Sequence, residues 1–240
     1  MKKFVFFILA KFKELYIASS SERYIKHLSK CGIKIGHNVR FRYPEHTKID
    51  TSRPLLIEIG NNVDINDYFT IMAHDFGTFV FRNLYHDFIP SSGKVHIGNN
   101  IYFGRNVTIL KGVSIGDNCI IGLGSIVTKD IPSNSVACGA PARVICSIDE
   151  YYKKRIKCCV NEALEHAAII RKRNKGQLSI KDLPEEWSLF FRKGDFEIHP
   201  EMHNVIDWRL GQDYDLFWQN RVLEFDGFDE FLKAVDDYEK

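Results

Sequence analysis

Residues 95–130 read VHIGNN IYFGRN VTILKG VSIGDN CIIGLG SIVTKD, six blocks of six with no remainder. The third position of each block is apolar (Ile97, Phe103, Ile109, Ile115, Ile121, Val127), and the first is Val95, Ile101, Val107, Val113, Cys119, Ser125. Two inward positions spaced two apart make a short strand with one buried face. The closing dipeptides, among them Asn99-Asn100, Arg105-Asn106 and Lys111-Gly112, are rich in residues that tolerate left-handed backbone, so each block ends in a corner. A repeat locked in phase over thirty-six residues stacks equivalent positions on successive turns of a parallel solenoid, whereas strands of an ordinary sandwich would drift out of phase. Three blocks make one triangular coil. Residues eighteen apart then become vertical neighbours about 4.8 Å apart: Ile97 with Ile115, Phe103 with Ile121, Ile109 with Val127.

Upstream, residues 57–74 (IEIGNN VDINDY FTIMAH) form one whole coil with Ile59, Ile65 and Ile71 inward. Two further blocks, IKIGHN and VRFRYP, put Ile35 and Phe41 inward at residues 33–44, before a polar stretch through Arg53 loses the pattern. Between the coils, residues 75–94 carry no hexapeptide phase. An interruption of that length in a regular solenoid points to function. After Asp130 the repeat stops, and Pro132, Gly139 and Pro141 mark an exit loop. Ser147 and Glu150 have capping-box spacing and open a long helix up to about Asn174. The domain reading is a helical cap at 1–30, a solenoid at 31–146 with an inserted loop at 75–94, and a helical, aromatic-rich extension at 147–240.

The N-terminal MKKFVFFILAKFKELY is interrupted by Lys11 and Lys13 and is too short to span a bilayer. Phe4, Ile8, Phe12, Leu15 and Tyr16 recur at helical spacing, which predicts an amphipathic helix packed on the solenoid's end, or one lying peripherally on a membrane. A net charge of +2 with acids and bases interspersed leaves no nucleic-acid footprint. Six cysteines lack a C-x-x-C pair or a zinc-spaced histidine, so neither a disulfide framework nor a metal site is expected, and a cytoplasmic location fits.

The run IVTKDIP followed by GAPARVI, with the repeats before it, resembles the hexapeptide-repeat acyltransferases, in particular the galactoside, maltose and polysaccharide O-acetyltransferase branch. The likeness covers residues 57–146. It implies a mainly β fold, a left-handed parallel β-helix assembled as a homotrimer with active sites between subunits, and an acetyl-CoA-dependent enzyme acting on a saccharide acceptor.

Acetyl transfer to a hydroxyl needs a base that titrates near neutrality. His74 is the candidate: it falls at a solenoid corner and opens the inserted loop, where sugar acetyltransferases of the branch carry their catalytic histidine. His86 and His96 are the alternatives. The galactoside enzymes have a His-Pro pair here, whereas His74 is followed by Asp75, a candidate to orient the imidazole, with a backbone carbonyl as the other option. By position in the family motif, Tyr102, Arg105, Leu123, Thr128, Lys129, Gly139, Ala140 and Arg143 match the cofactor groove, Lys129 and Arg143 being the phosphate partners. Arg105 and Cys146 depart from the residues usual there. For the acceptor, Asn66 or Asn62 stands nearest the branch's asparagine of the preceding coil. Arg82, Asn83, His86 and Asp87 of the loop offer hydrogen bonds to sugar hydroxyls, and Phe76, Phe79, Phe81, Tyr85 and Phe88 offer apolar faces. Competing readings are a small-molecule acetyltransferase (antibiotic, serine or amino sugar), a zinc hydratase needing three convergent histidines, and a non-enzymatic scaffold. Cys119 is inward and structural, and Cys138 is a packing residue.

Overall fold

The computed structural model describes residues 11–211 and 214–239. The chain divides into two compact units, one ending at Tyr152 and the other beginning at Lys153. After a helical stretch at 11–18 and helix α1 (Ser21–Cys31), the first unit winds through four three-stranded coils. These are β1 (Lys34–Ile35), β2 (Val39–Phe41) and β3 (Lys48–Ile49); β4 (Ile57–Ile59), β5 (Val63–Ile65) and β6 (Thr70–Ile71); β9 (Val95–Ile97), β10 (Ile101–Phe103) and β11 (Thr108–Ile109); β12 (Ser114–Ile115), β13 (Cys119–Ile121) and β14 (Ile126–Val127). The second and third coils are separated by β7 (His74–Asp75), helix α2 (Thr78–Tyr85) and β8 (Ser91–Ser92), and the coils are closed by the antiparallel pair β15 (Ser135–Gly139) and β16 (Ala142–Ser147). Three parallel faces result, ordered β1-β4-β9-β12, β2-β5-β10-β13-β15 and β3-β6-β11-β14. This is the parallel solenoid expected from the repeat, and the left-handed β-helix that the resemblance implies.

The register is the one the period dictates, with Ile97 opposite Ile115, Phe103 opposite Ile121 and Ile109 opposite Val127. All six of these side chains, and all six at the first block position, are buried. The corners explain the Asn-rich endings. Asn38, Asn62, Asn100, Asn118 and Asn134 all have positive φ. Their amides also form a ladder along the axis, Asn38 Nδ2 donating to Asn62 Oδ1 (2.9 Å), Asn100 to Asn118 (2.9 Å) and Asn118 to Asn134 (2.8 Å). One residue type thus satisfies the corner's backbone and ties successive coils.

Three local expectations change. The polar stretch through Arg53, where the hexapeptide phase is lost, still supplies a solenoid strand: β3, whose Ile49 pairs with Ile71 and completes the first coil. Ile35 is half-buried, because no coil lies below it. In the N-terminal stripe, Phe12, Leu15 and Tyr16 are exposed and Ile17 is the residue packed on the core, while Phe4 and Ile8 lie outside the described residues. Among the described residues no helix is long and apolar enough to cross a membrane.

The second unit holds the larger part of α3 (Ile148–Arg173), then α4 (Met202–Leu210), α5 (Tyr214–Asn220) and α6 (Phe228–Tyr238). At the start of α3, Ser147 and Glu150 make the reciprocal bonds of a capping box (2.8 and 3.2 Å). The unit has its own core around Trp187, Phe190, Phe191, Phe231 and Val235. Within it the Arg221 guanidinium lies over the rings of Phe217, Trp218 and Trp187, 4.9–5.5 Å from their centroids, and burial pushes its pKa down to about 10.

Candidate active site

His74 opens β7, three residues past the end of β6 on the third face of the second coil, where the regular turn is abandoned for the inserted segment. The pairing of Ile49 with Ile71 brings the residue after β3, Asp50, alongside Ala73 and His74. Asp50 is 4 % exposed at its side chain and is fully committed. One carboxylate oxygen accepts from Ser52 N (3.0 Å) and Ser52 Oγ (2.7 Å), and the other from Ala73 N (3.1 Å) and His74 Nδ1 in a short contact. Burial alone would raise this carboxyl, but the hydrogen bonds from Ser52 and His74 outweigh it and hold it below the ordinary range. With Nδ1 donating to an ionised partner, the neutral imidazole keeps its lone pair on Nε2, which has no hydrogen-bond partner among the described residues. His74 lines a cavity of about 520 Å³ with Met72, Asp75, Phe76, Leu110, Lys111 and Thr128.

The expectation that Asp75 orients His74 is corrected by this geometry. Neighbouring residues of an extended strand point to opposite sides. Asp75 is not bonded to the ring and instead accepts from Gly77 N (2.9 Å), Ser91 Oγ (3.0 Å) and the Lys111 ammonium. The Lys111 hydrogen bond, with those from Gly77 and Ser91, pulls its carboxyl down to about 2. Asp75 therefore clips the two ends of the inserted segment, paired as β7 and β8, to the corner of the next coil. Asp50 is the orienting residue. The sequence signal for it was weak, a single Ile49-Asp50 step in a stretch without the hexapeptide phase.

The other candidates fall in separate places. Thr128 shares the cavity with His74. Asn66 Nδ2 donates to the Tyr102 hydroxyl (3.3 Å) on the second face, and Arg105, at the corner after that face, pairs with Asp67 (2.9 Å). Leu123 sits at the same corner one coil on and is 78 % exposed. Lys129 is exposed at the corner after β14. Gly139, Ala140 and Arg143 belong to the closing hairpin, where Arg143 donates to Ala142 O (2.8 Å). Arg82, Tyr85 and His86 lie on or just after α2, Arg82 over the Phe79 ring, and none of them lines the His74 cavity. His96 is on the first face near Glu58. His74, His86 and His96 do not converge, and among the described residues no three metal-ligating side chains are grouped to hold an ion. Cys119 is buried within the solenoid.

The first unit is thus a hexapeptide solenoid with a carboxylate-bound histidine at one corner. The description "Bacterial transferase hexapeptide (six repeats)" matches residues 94–129. CapG of Staphylococcus aureus is 37% identical over 153 residues, which are 64% of this chain and 83% of CapG. The galactoside O-acetyltransferase of Escherichia coli K12 is 55% identical over 67 residues, 26% of this chain and 33% of that enzyme, so the match spans only a third of its length. Among solved structures, a galactoside acetyltransferase in complex with coenzyme A is 29% identical and covers 60% of this chain and 82% of its own, with a TM-score of 0.40. The chain belongs to the hexapeptide-repeat O-acetyltransferase family.

Proposed function

We propose that the chain transfers acetyl from acetyl-CoA to a hydroxyl of a saccharide, a bacterial surface polysaccharide or its precursor, with His74 as the general base. The observation that carries this reading is the pairing of His74 Nδ1 with the buried Asp50 at the mouth of a cavity. Nε2 accepts the acceptor's hydroxyl proton as that oxygen bonds to the thioester carbonyl. When the carbon–sulfur bond breaks, the imidazolium returns the proton to the departing thiolate of CoA. Asp50 stabilises the imidazolium without taking its proton.

The same reading assigns Tyr102, Arg105, Leu123, Thr128, Lys129, Gly139, Ala140 and Arg143 to the donor and Asn66 to the acceptor, in a homotrimer. In one chain His74 and Arg105 occupy different corners, after the third and second faces respectively. A threefold assembly that sets one chain's His74 corner against a neighbour's second-face corner would unite them. The exposed apolar side chains of α2, among them Phe79, Val80, Leu84 and Tyr85, support burial against a neighbour or acceptor. A cytoplasmic location is part of the proposal, resting on the free thiols. The test is release of CoA thiol from acetyl-CoA across a panel of saccharides. Turnover that depends on the saccharide and collapses in His74→Ala supports the assignment. Turnover that survives in His74→Ala, or that occurs with amino-acid or antibiotic acceptors alone, overturns it.

A further inference from the structure

Besides Arg105 and Leu123, which the donor assignment uses, the corner between the second and third faces carries residues to which acyl transfer at His74 gives no role. In the third and fourth coils it is turned by Asn106 and Gly124, residues at ease with positive φ, but in the second coil by Tyr68 at φ 57°. A bulky residue in that conformation is strained, so something must hold it there. The Tyr68 ring lies parallel to His46 (centroids 4.6 Å apart, planes 6° apart), and His46 is nearly parallel to Tyr43 (6.4 Å, 13°). His46 is fixed in turn by Asp67, a buried carboxylate (4 % exposed) that accepts from His46 Nδ1 (2.7 Å) and Arg105 (2.9 Å). Tyr43 and Tyr68 are nevertheless 44 % and 51 % exposed. The stack is therefore braced from beneath and open to solvent, as a platform for a sugar ring is.

At the Tyr43 end, Arg42 and its strand neighbour Arg40 both grip Asp64 in bidentate fashion, Arg42 at 2.9 and 2.6 Å and Arg40 at 3.2 and 2.6 Å. Arg42 spends two of a guanidinium's five N–H groups on Asp64 and is 33 % exposed at its side chain, so it can take a second planar anion in the same way.

We propose that this corner is a saccharide subsite selective for a sugar bearing a carboxylate, with Tyr68 as the ring platform and Arg42 as the carboxylate partner. The inference rests on the saccharide-acetyltransferase reading and narrows its acceptor to an acidic glycan. The test is calorimetric titration of the full chain with oligomers of galacturonate, glucuronate and sialic acid, each against its methyl ester, which keeps the ring and removes the charge. At least one acid should bind about tenfold tighter than its ester, roughly the contribution of one charge-assisted pair. Tyr68→Asn, which installs the residue the next coil uses at this corner, and Arg42→Gln should each weaken that acid about tenfold. Tyr68→Phe should retain it, and acetyl-CoA binding should not move in any of the three. No acid preferred over its ester, or full affinity in Tyr68→Asn, overturns the subsite. A chain that turns over neutral saccharides with unchanged acceptor KM in both variants keeps the transfer reading and sinks this one. A chain that shows the acid preference but never releases CoA thiol upholds the subsite and sinks transfer.

Discussion

Replacing Asp50 by Asn tests the orienting pair with almost no change in volume. One oxygen of the new amide can still accept from Ser52 N and Ser52 Oγ. The amide NH2 then replaces the oxygen that served Ala73 N and His74 Nδ1. A donor facing Ala73 N leaves a buried amide unpaired, at a cost of about 1–3 kcal/mol, which is roughly 2–10 °C in Tm for a domain of this size. The same NH2 donates to Nδ1 and drives the ring proton to Nε2, the nitrogen that must accept the hydroxyl proton. Turnover should therefore fall by about 10²- to 10⁴-fold, or roughly 3–5 kcal/mol of barrier, with the acetyl-CoA dissociation constant within about twofold. Thiol release at saturating acceptor, measured well below the variant's melting temperature, reads this directly. An Asp50→Asn protein that is folded and turns over at more than about a tenth of the parent rate would refute the tautomer argument.

Three further outcomes follow from the geometry. Burial alone raises Asp50, Asp64 and Asp67, but their hydrogen-bonding partners outweigh it and leave them depressed, as the Lys111 bond leaves Asp75. Carboxyls with lowered folded values contribute stability that is complete above about pH 4 and lost as pH falls through those values; Tm should be level from pH 7 to about 5 and drop toward pH 2, and a melt that stays level to pH 2 contradicts this. Asn118→Ala removes two inter-coil amide bonds at a positive-φ corner and should cost about 2–4 kcal/mol in denaturant unfolding, with Asn118→Gly losing less because the backbone is no longer strained; equal losses would discount the backbone part. Lys111→Met unclips Asp75 and Ser91 and should raise the acceptor KM severalfold while leaving acetyl-CoA binding alone, and Lys111→Arg should restore it; a loss confined to acetyl-CoA binding would show that residues 75–94 serve the donor instead.

The solenoid was legible because its period is redundant: each inward residue from Val95 to Val127 repeats a neighbour eighteen residues away, and stacking makes that repetition a physical contact. The first coil was only half legible. Its equivalents lie 22 or 24 residues apart, as in Ile49 with Ile71 and Phe41 with Ile65, so β3 carried no phase by which to recognise it. Asp50 was missed for the same reason. A partner brought in by coil stacking, 24 residues before His74, is not suggested by proximity in the chain, whereas the adjacent Asp75 was suggested and is bonded to Lys111 instead. The Tyr68 corner was invisible because the left-handed φ of a tyrosine leaves no mark in its identity.

The most direct test of the central claim compares the parent with His74→Asn, following CoA thiol release from acetyl-CoA in the presence of the best saccharide acceptor. A general base predicts a loss of at least about a hundredfold in kcat, with the fold and the acetyl-CoA dissociation constant unchanged. Release that persists within about tenfold of the parent would contradict it and remove His74 from the chemistry.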